Sequence, residues 1–159
     1  MNRTALILAI WITTALAQSP FSQGKKQIGF NLGSSSNFNE NYTVAGVDVK
    51  YFILDNLSIG TDYKGFLGAS PSIQQVTVPV TYHVPLEHTT YKPYLGAFFN
   101  HTFLDKPYKD YNIYGGRLGF SIQTSINSFM SLGWVQEFGN SGTDIKNQGY
   151  PEVSAGFSF

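Results

Sequence analysis

Asn100-His101-Thr102-Phe103, with Asp105 close behind, puts an imidazole and a carboxylate where a hydroxyl from Ser70 or Ser141 could approach on another loop. Such a set could activate a serine, since nucleophilic catalysis needs a base within hydrogen-bond reach of the nucleophile and a third group to orient the base. A loop histidine satisfied by water accounts for His101 better, and no catalytic residue is expected. His83, facing inward on a strand, and His88, in a turn, show no metal-ligand spacing. Gly24 and the tandem Gly115-Gly116 lack the strand-loop-helix context of a phosphate loop, and simply make room or permit a bend. Neither metal nor cofactor is expected.

The absence of cysteine removes disulfides, thiolate metal sites and a lipid-attachable residue. Lys+Arg and Asp+Glu balance at ten each, and no basic cluster lies along an element, so a nucleic-acid partner is not expected. Charged residues make up only 13% of the 159 residues, against roughly 25% in soluble domains. Aromatics reach 16%, with 13 Phe and 10 Tyr. A chain short of charge and rich in aromatics suggests a surface that need not face water. Its length suits one domain.

The charges that do occur fall at alternate positions of apolar runs, so the elements that hold them come next. Residues 1–17 read as a cleavable signal peptide: Arg3, an apolar stretch from Ala5 to Ile12, and a small-x-small site at Ala15-Leu16-Ala17. That stretch is far shorter than the roughly 20 residues of a spanning helix. Residues 18–26 form an N-terminal extension, and 27–159 the remaining domain. If this domain sits in a membrane it must be a closed barrel, which satisfies every backbone polar group in lipid.

Eight runs of alternating residues follow, each about the length a tilted membrane strand requires. They lie near 25–34, 42–53, 57–64, 75–85, 91–103, 111–123, 128–138 and 150–159. One face carries Ile28, Phe30 and Leu32 in the first, Val47, Val49 and Tyr51 in the second, and Leu118, Phe120 and Ile122 in the sixth. The fifth run has Phe99 on one face and Phe98 on the other, which leaves its orientation open. Short turns at Leu54-Asp55-Asn56 and Thr124-Ser125-Ile126-Asn127 alternate with longer polar connections near 35–41, 66–74, 104–110 and 139–149. That alternation separates a periplasmic from an external side, though Pro85–Thr90 is long for a periplasmic turn. The expected fold is an all-β, eight-stranded antiparallel up-and-down transmembrane barrel.

A soluble barrel has the same alternation with the faces reversed. Here the polar face is largely Gly, Ser, Thr, Asn and Gln, while Val, Ile, Leu and Phe with Tyr51, Tyr63 and Trp134 near strand ends suit hydrocarbon and its aromatic girdles. The first strand also has no Gly-x-Trp of the lipocalin kind. With the polar face inward, Asp48, Lys50, Asp62, Lys64, Arg117, Glu137 and Glu152 enter the lumen. Eight strands enclose an interior only just filled by side chains, so these charges are expected to pair as a core rather than line a conducting path.

The hairpin from Val47 to Gly60 resembles the repeated hairpin of the small outer-membrane β-barrel family of Gram-negative bacteria, the eight-stranded outer-membrane protein A/X-like barrels. Lys92-Pro93-Tyr94-Leu95-Gly96-Ala97 and Arg117-Leu118-Gly119-Phe120 resemble strand starts in that family. The terminal Val153 to Phe159, with Phe157 and Phe159, resembles the C-terminal signal read by the barrel-assembly machinery. The resemblance covers 27–159 and implies an integral outer-membrane location. It also implies contact with outer-membrane lipids and lipopolysaccharide, with an envelope protein as a possible partner. It implies a role only loosely. A structural or interaction barrel comes first, with a small porin-like channel and a lipid A-modifying enzyme as alternatives. The His-x-Ser-Asn pattern of lipid A deacylases is not matched, because Phe103 and Leu104 stand where Ser and Asn would be.

Overall fold

The computed structural model describes residues 19–86, 89–139 and 147–159. The expected signal peptide, His88 and Ser141 lie outside them. The described chain forms eight strands: β1 Lys26–Asn37, β2 Glu40–Leu54, β3 Leu57–Leu67, β4 Ile73–His83, β5 Tyr91–Leu104, β6 Tyr111–Ser125, β7 Ser128–Phe138 and β8 Gln148–Ser158. Each pairs antiparallel with its sequence neighbour, and β1 with β8, closing the barrel. Closure leaves no unpaired edge, which a lipid environment demands.

The period of two sets the faces. Phe30, Leu32, Val49, Leu118, Phe120, Leu132, Val153 and Phe157 point out and are exposed, while Gln27, Asn31, Asp48, Asp62, Gln75, Asn100, Arg117 and Ser154 point in and are buried. This surface is inverted relative to a water-soluble protein. Surrounded by water, such a belt would forgo about 25 cal/mol for every Å² of apolar surface left unburied; hydrocarbon removes that cost.

In β5 the parity is resolved: Phe98 and Asn100 are buried inside, and Leu95, Ala97 and Phe99 face out. Phe98 fits within because Gly115, its cross-strand partner on β6, has no side chain there.

Call the end where β1 begins and β8 finishes the near end. It carries the two-residue turns Asp55-Asn56 and Ile126-Asn127 and the longer 84–90 connection. The far end carries connections 68–72 and 105–110, and there β7 finishes and β8 begins. The polar loop expected near 35–41 is not found. β1 and β2 stay paired to Asn37↔Glu40, leaving a two-residue turn at Phe38-Asn39. Both residues are left-handed, with φ of 51° and 63°, the combination by which a type I′ turn matches strand twist. Ser and Asn in 35–41 suggested a loop; ladder pairing overrode that local preference. The Phe38 ring meets Tyr108 of the 105–110 connection at 5.1 Å between centroids.

The ladders are unequal in extent. β1 pairs with β2 from Lys26↔Tyr51 to Asn37↔Glu40, but with β8 only from Gln27↔Ser158 to Gly33↔Glu152.

Candidate functional site: the closed lumen

All seven charged residues expected in the lumen lie on the inner face; Arg117, Asp62, Lys64 and Glu152 pair across the barrel, while Lys50 and Asp48 pair along one strand. Arg117 on β6 donates from Nη2 to Asp62 Oδ2 on β3 at 2.8 Å. Lys64 on β3 donates to Glu152 on β8. Arg117 Nη1 lies 3.9 Å from Glu152 Oε1, which closes a triangle between β3, β6 and β8. Lys50 pairs with Asp48 on its own strand at 3.0 Å.

Glu137 has no ion-pair partner among the described residues. Its Oε1 accepts from Asn100 at 3.2 Å and Gln75 at 3.4 Å, and its Oε2 from Gln148 at 2.6 Å. Three amides on β4, β5 and β8 thus converge on one carboxylate. In the ion pairs, by contrast, removing one partner, as at Arg117–Asp62, leaves an uncompensated buried ion at a cost of about 3–5 kcal/mol.

Apolar layers bracket the charges. Tyr42, Val44, Phe66 and Ile73 cluster at the far end, and Phe98, Val135 and Tyr150 form a second cluster between them and the ions. The cations lie over these rings, Arg117 at 5.4 Å from Phe98 and Lys64 at 5.6 Å from Tyr150, close enough for attraction to the ring faces.

The near end is closed by the segment before β1. Phe21, 1% exposed, packs with Phe52 and Phe129 and lies 4.6 Å from the His83 ring. Its carbonyl accepts from Asn56 N at 2.8 Å, and the Pro20 carbonyl accepts from Gln27 Nε2 at 2.9 Å and Ser158 Oγ at 3.3 Å. Gln23 N donates to Asp55 Oδ1 at 2.8 Å.

Inside this seal is a cavity of about 20 Å³, lined among others by Lys50, Thr81, His83, Tyr94, Arg117 and Ser131. Thr81 Oγ1, His83 Nδ1 and Arg117 Nε, all buried, have no hydrogen-bond partner among the described residues.

The catalytic constellation weighed from the sequence is not assembled. His101 faces out of the barrel, bonded through Nδ1 to Asn112 at 2.7 Å and packed edge-on against Phe103 at 4.5 Å. Among the described residues no hydrogen bond joins it to Ser70 or Asp105. Phe157 and Phe159 both point outward at the near end.

Three features escaped the sequence reading. Phe21 has no periodic signal around it, being outside any strand. Tyr94 shares the inward parity of Gly96 and Phe98, and this could have been read once Phe98 was placed inside. Gln75, Asn100 and Gln148 were visible as polar positions, but nothing in one strand says that three strands aim at the same carboxylate.

No protein-family model matches the chain, and no curated protein does. Solved structures do. The N-terminal β-barrel domain of Pseudomonas aeruginosa OprF superposes with a TM-score of 0.71 at 15% identity, covering 86% of this chain and 98% of that one. Neisserial surface protein A gives 0.57 at 19% identity, covering 84% and 94%. The Yersinia pestis outer-membrane protein Ail in a phospholipid nanodisc gives 0.54 at 10% identity, covering 86% and 100%. The chain has the eight-stranded barrel fold of these outer-membrane proteins.

Proposed function

We propose that the chain is an integral outer-membrane barrel with a structural or interaction role, neither an open channel nor an enzyme. The observation that carries this reading is the way the lumen is filled. Arg117–Asp62 and Lys64–Glu152 cross it, aromatic and aliphatic clusters lie on both sides of them, and Phe21 covers the near end. An ion crossing the barrel would have to break paired charges and displace packed rings.

The near end, with two of its three turns only two residues long, is assigned to the periplasm. The far-end connections then meet the outside, where they contact lipopolysaccharide or an envelope partner. Phe159 and Phe157 serve recognition by the barrel-assembly machinery. Planar-bilayer recording of the purified chain tests the sealed lumen: a silent bilayer is expected, and steady unitary currents would replace this reading with the channel. Mass spectra of lipid A from cells with and without the protein should be identical, and a lost or added acyl chain would restore the enzyme.

A further inference from the structure

We propose that Ser19–Gln23 is a hinged plug whose tip, Phe21, seals a hydrated polar vestibule at the near end of the lumen. Its withdrawal opens that vestibule to small solutes without opening a path through the barrel.

Three observations carry this. The first is chemical. The cavity beneath Phe21 presents a guanidinium N–H from Arg117, a hydroxyl from Thr81 and a ring nitrogen from His83, none with a hydrogen-bond partner among the described residues. A buried donor or acceptor left unmatched is costly, and water or another small polar molecule is what resolves it. A volume of about 20 Å³ exceeds the roughly 10–15 Å³ that one water needs. Lys50, Tyr94 and Ser131 line the same space, so the vestibule suits a small hydrogen-bonding solute rather than an apolar one.

The second observation is mechanical. The plug joins β1 through Gly24, whose φ of +83° is left-handed and whose missing Cβ would meet no atom within 4 Å. A glycine in that conformation with open space around it can swing with little steric cost. Ser19–Gln23 belongs to no strand. Among the described residues its hold consists of the Phe21 ring, set against Phe52, Phe129 and His83 with Lys92 Nζ 5.6 Å from it, bonds to Asn56, Gln27, Ser158, Asp55 and Ile53, and the bond from Gly24 N to Phe52 O at 2.9 Å. Because the segment is outside every ladder, it can open without breaking strand pairing, and such sub-global openings need less free energy than unfolding of the barrel.

The third is the position of the other seals. The ion-pair triangle forms the inner wall of the vestibule through Arg117 and Glu152, and the far-end cluster of Tyr42, Val44, Phe66 and Ile73 lies beyond it. Among the described residues no hydrogen bond or ring contact joins any of them to the plug. Its withdrawal therefore exposes a dead-end chamber.

The chain has no cysteine, so Ser131→Cys supplies a unique reporter on the vestibule wall. In the full chain isolated from membranes, this variant should react slowly with a small cationic methanethiosulfonate, and adding Phe21→Ala should raise the rate at least tenfold. Bilayer conductance should stay at background in both. Equal rates with and without Phe21 would overturn the seal. Current through the Phe21→Ala barrel would overturn the dead end. Loss of heat-modifiable migration in Phe21→Ala would show that Phe21 is part of the barrel's fixed core, and would overturn the hinged plug. Labelling changes without current would leave the sealed-lumen reading intact, so the two proposals fail separately.

Discussion

The phenol of Tyr94 occupies the space in which a Cβ on Gly133 would stand. Tyr94 lies on β5 and Gly133 on β7, with Gly119 of β6 between them. A Cβ on Gly119 would come within 2.8 Å of the same hydroxyl. Two side-chain-free positions on neighbouring strands thus form a trough that takes one aromatic side chain.

Filling that trough should therefore cost stability. Gly133→Val is expected to lower unfolding free energy by about 1–3 kcal/mol, the usual effect of overpacking. Urea midpoints from heat-modifiable gel migration measure it. Tyr94→Ala in the same chain should recover part of the loss, and a purely additive pair would refute the trough.

The charge triangle predicts a non-additive pair. Arg117→Met alone strands Asp62 and weakens the hold on Glu152, for a loss of about 3–5 kcal/mol. Combining it with Asp62→Leu removes the stranded charge and should restore most of that loss. A double variant no more stable than the single one would mean the salt bridge is not what positions these strands.

Sequence periodicity made most of this barrel legible, and for a physical reason. A strand between lipid and lumen must alternate along its whole length, so Ile28-Gly29-Phe30-Asn31 already states which side chains leave the barrel. The inward placement of Asp48, Asp62, Lys64 and Arg117 follows from the same parity. Their partners do not, because Arg117 and Asp62 are three strands apart and no local pattern encodes a diagonal across a lumen. Local composition also misled at 35–41, where polar residues that favour turns in isolation were held in a ladder by the strand on the other side. Phe21, outside any period, was silent.

The outward belt predicts a depth-dependent penalty. Leu132, 61% exposed at the middle of β7, should lose about 2–4 kcal/mol on replacement by Arg, whereas Leu86→Arg in the near-end connection should cost about 0–1 kcal/mol. Unfolding titrations in vesicles separate the two, and equal penalties would count against a lipid-facing β7.

Trp134 is the one tryptophan outside the expected leader, and it faces outward. Its fluorescence in reconstituted vesicles should be quenched by brominated acyl chains and largely spared by aqueous iodide. The reverse order would place this side of β7 in water.

Deletion of Phe159 should reduce the folded protein in the outer membrane several-fold with no change in its synthesis. Pulse-chase fractionation reads this directly, and normal assembly of the truncated chain would remove the role assigned to the terminal aromatic.

The short seam between β1 and β8 has a further consequence in time. Every other ladder joins strands adjacent in sequence and closes a small loop, whereas the seam joins the two extremes of the domain and must wait until all the rest is in place. It is the last stitch and the shortest one. Pro20, accepting from Gln27 on one side of the seam and Ser158 on the other, acts as a buckle across it. The anchor of the cork is therefore complete only once the seam has closed, so the mouth is stopped after the sheet is joined.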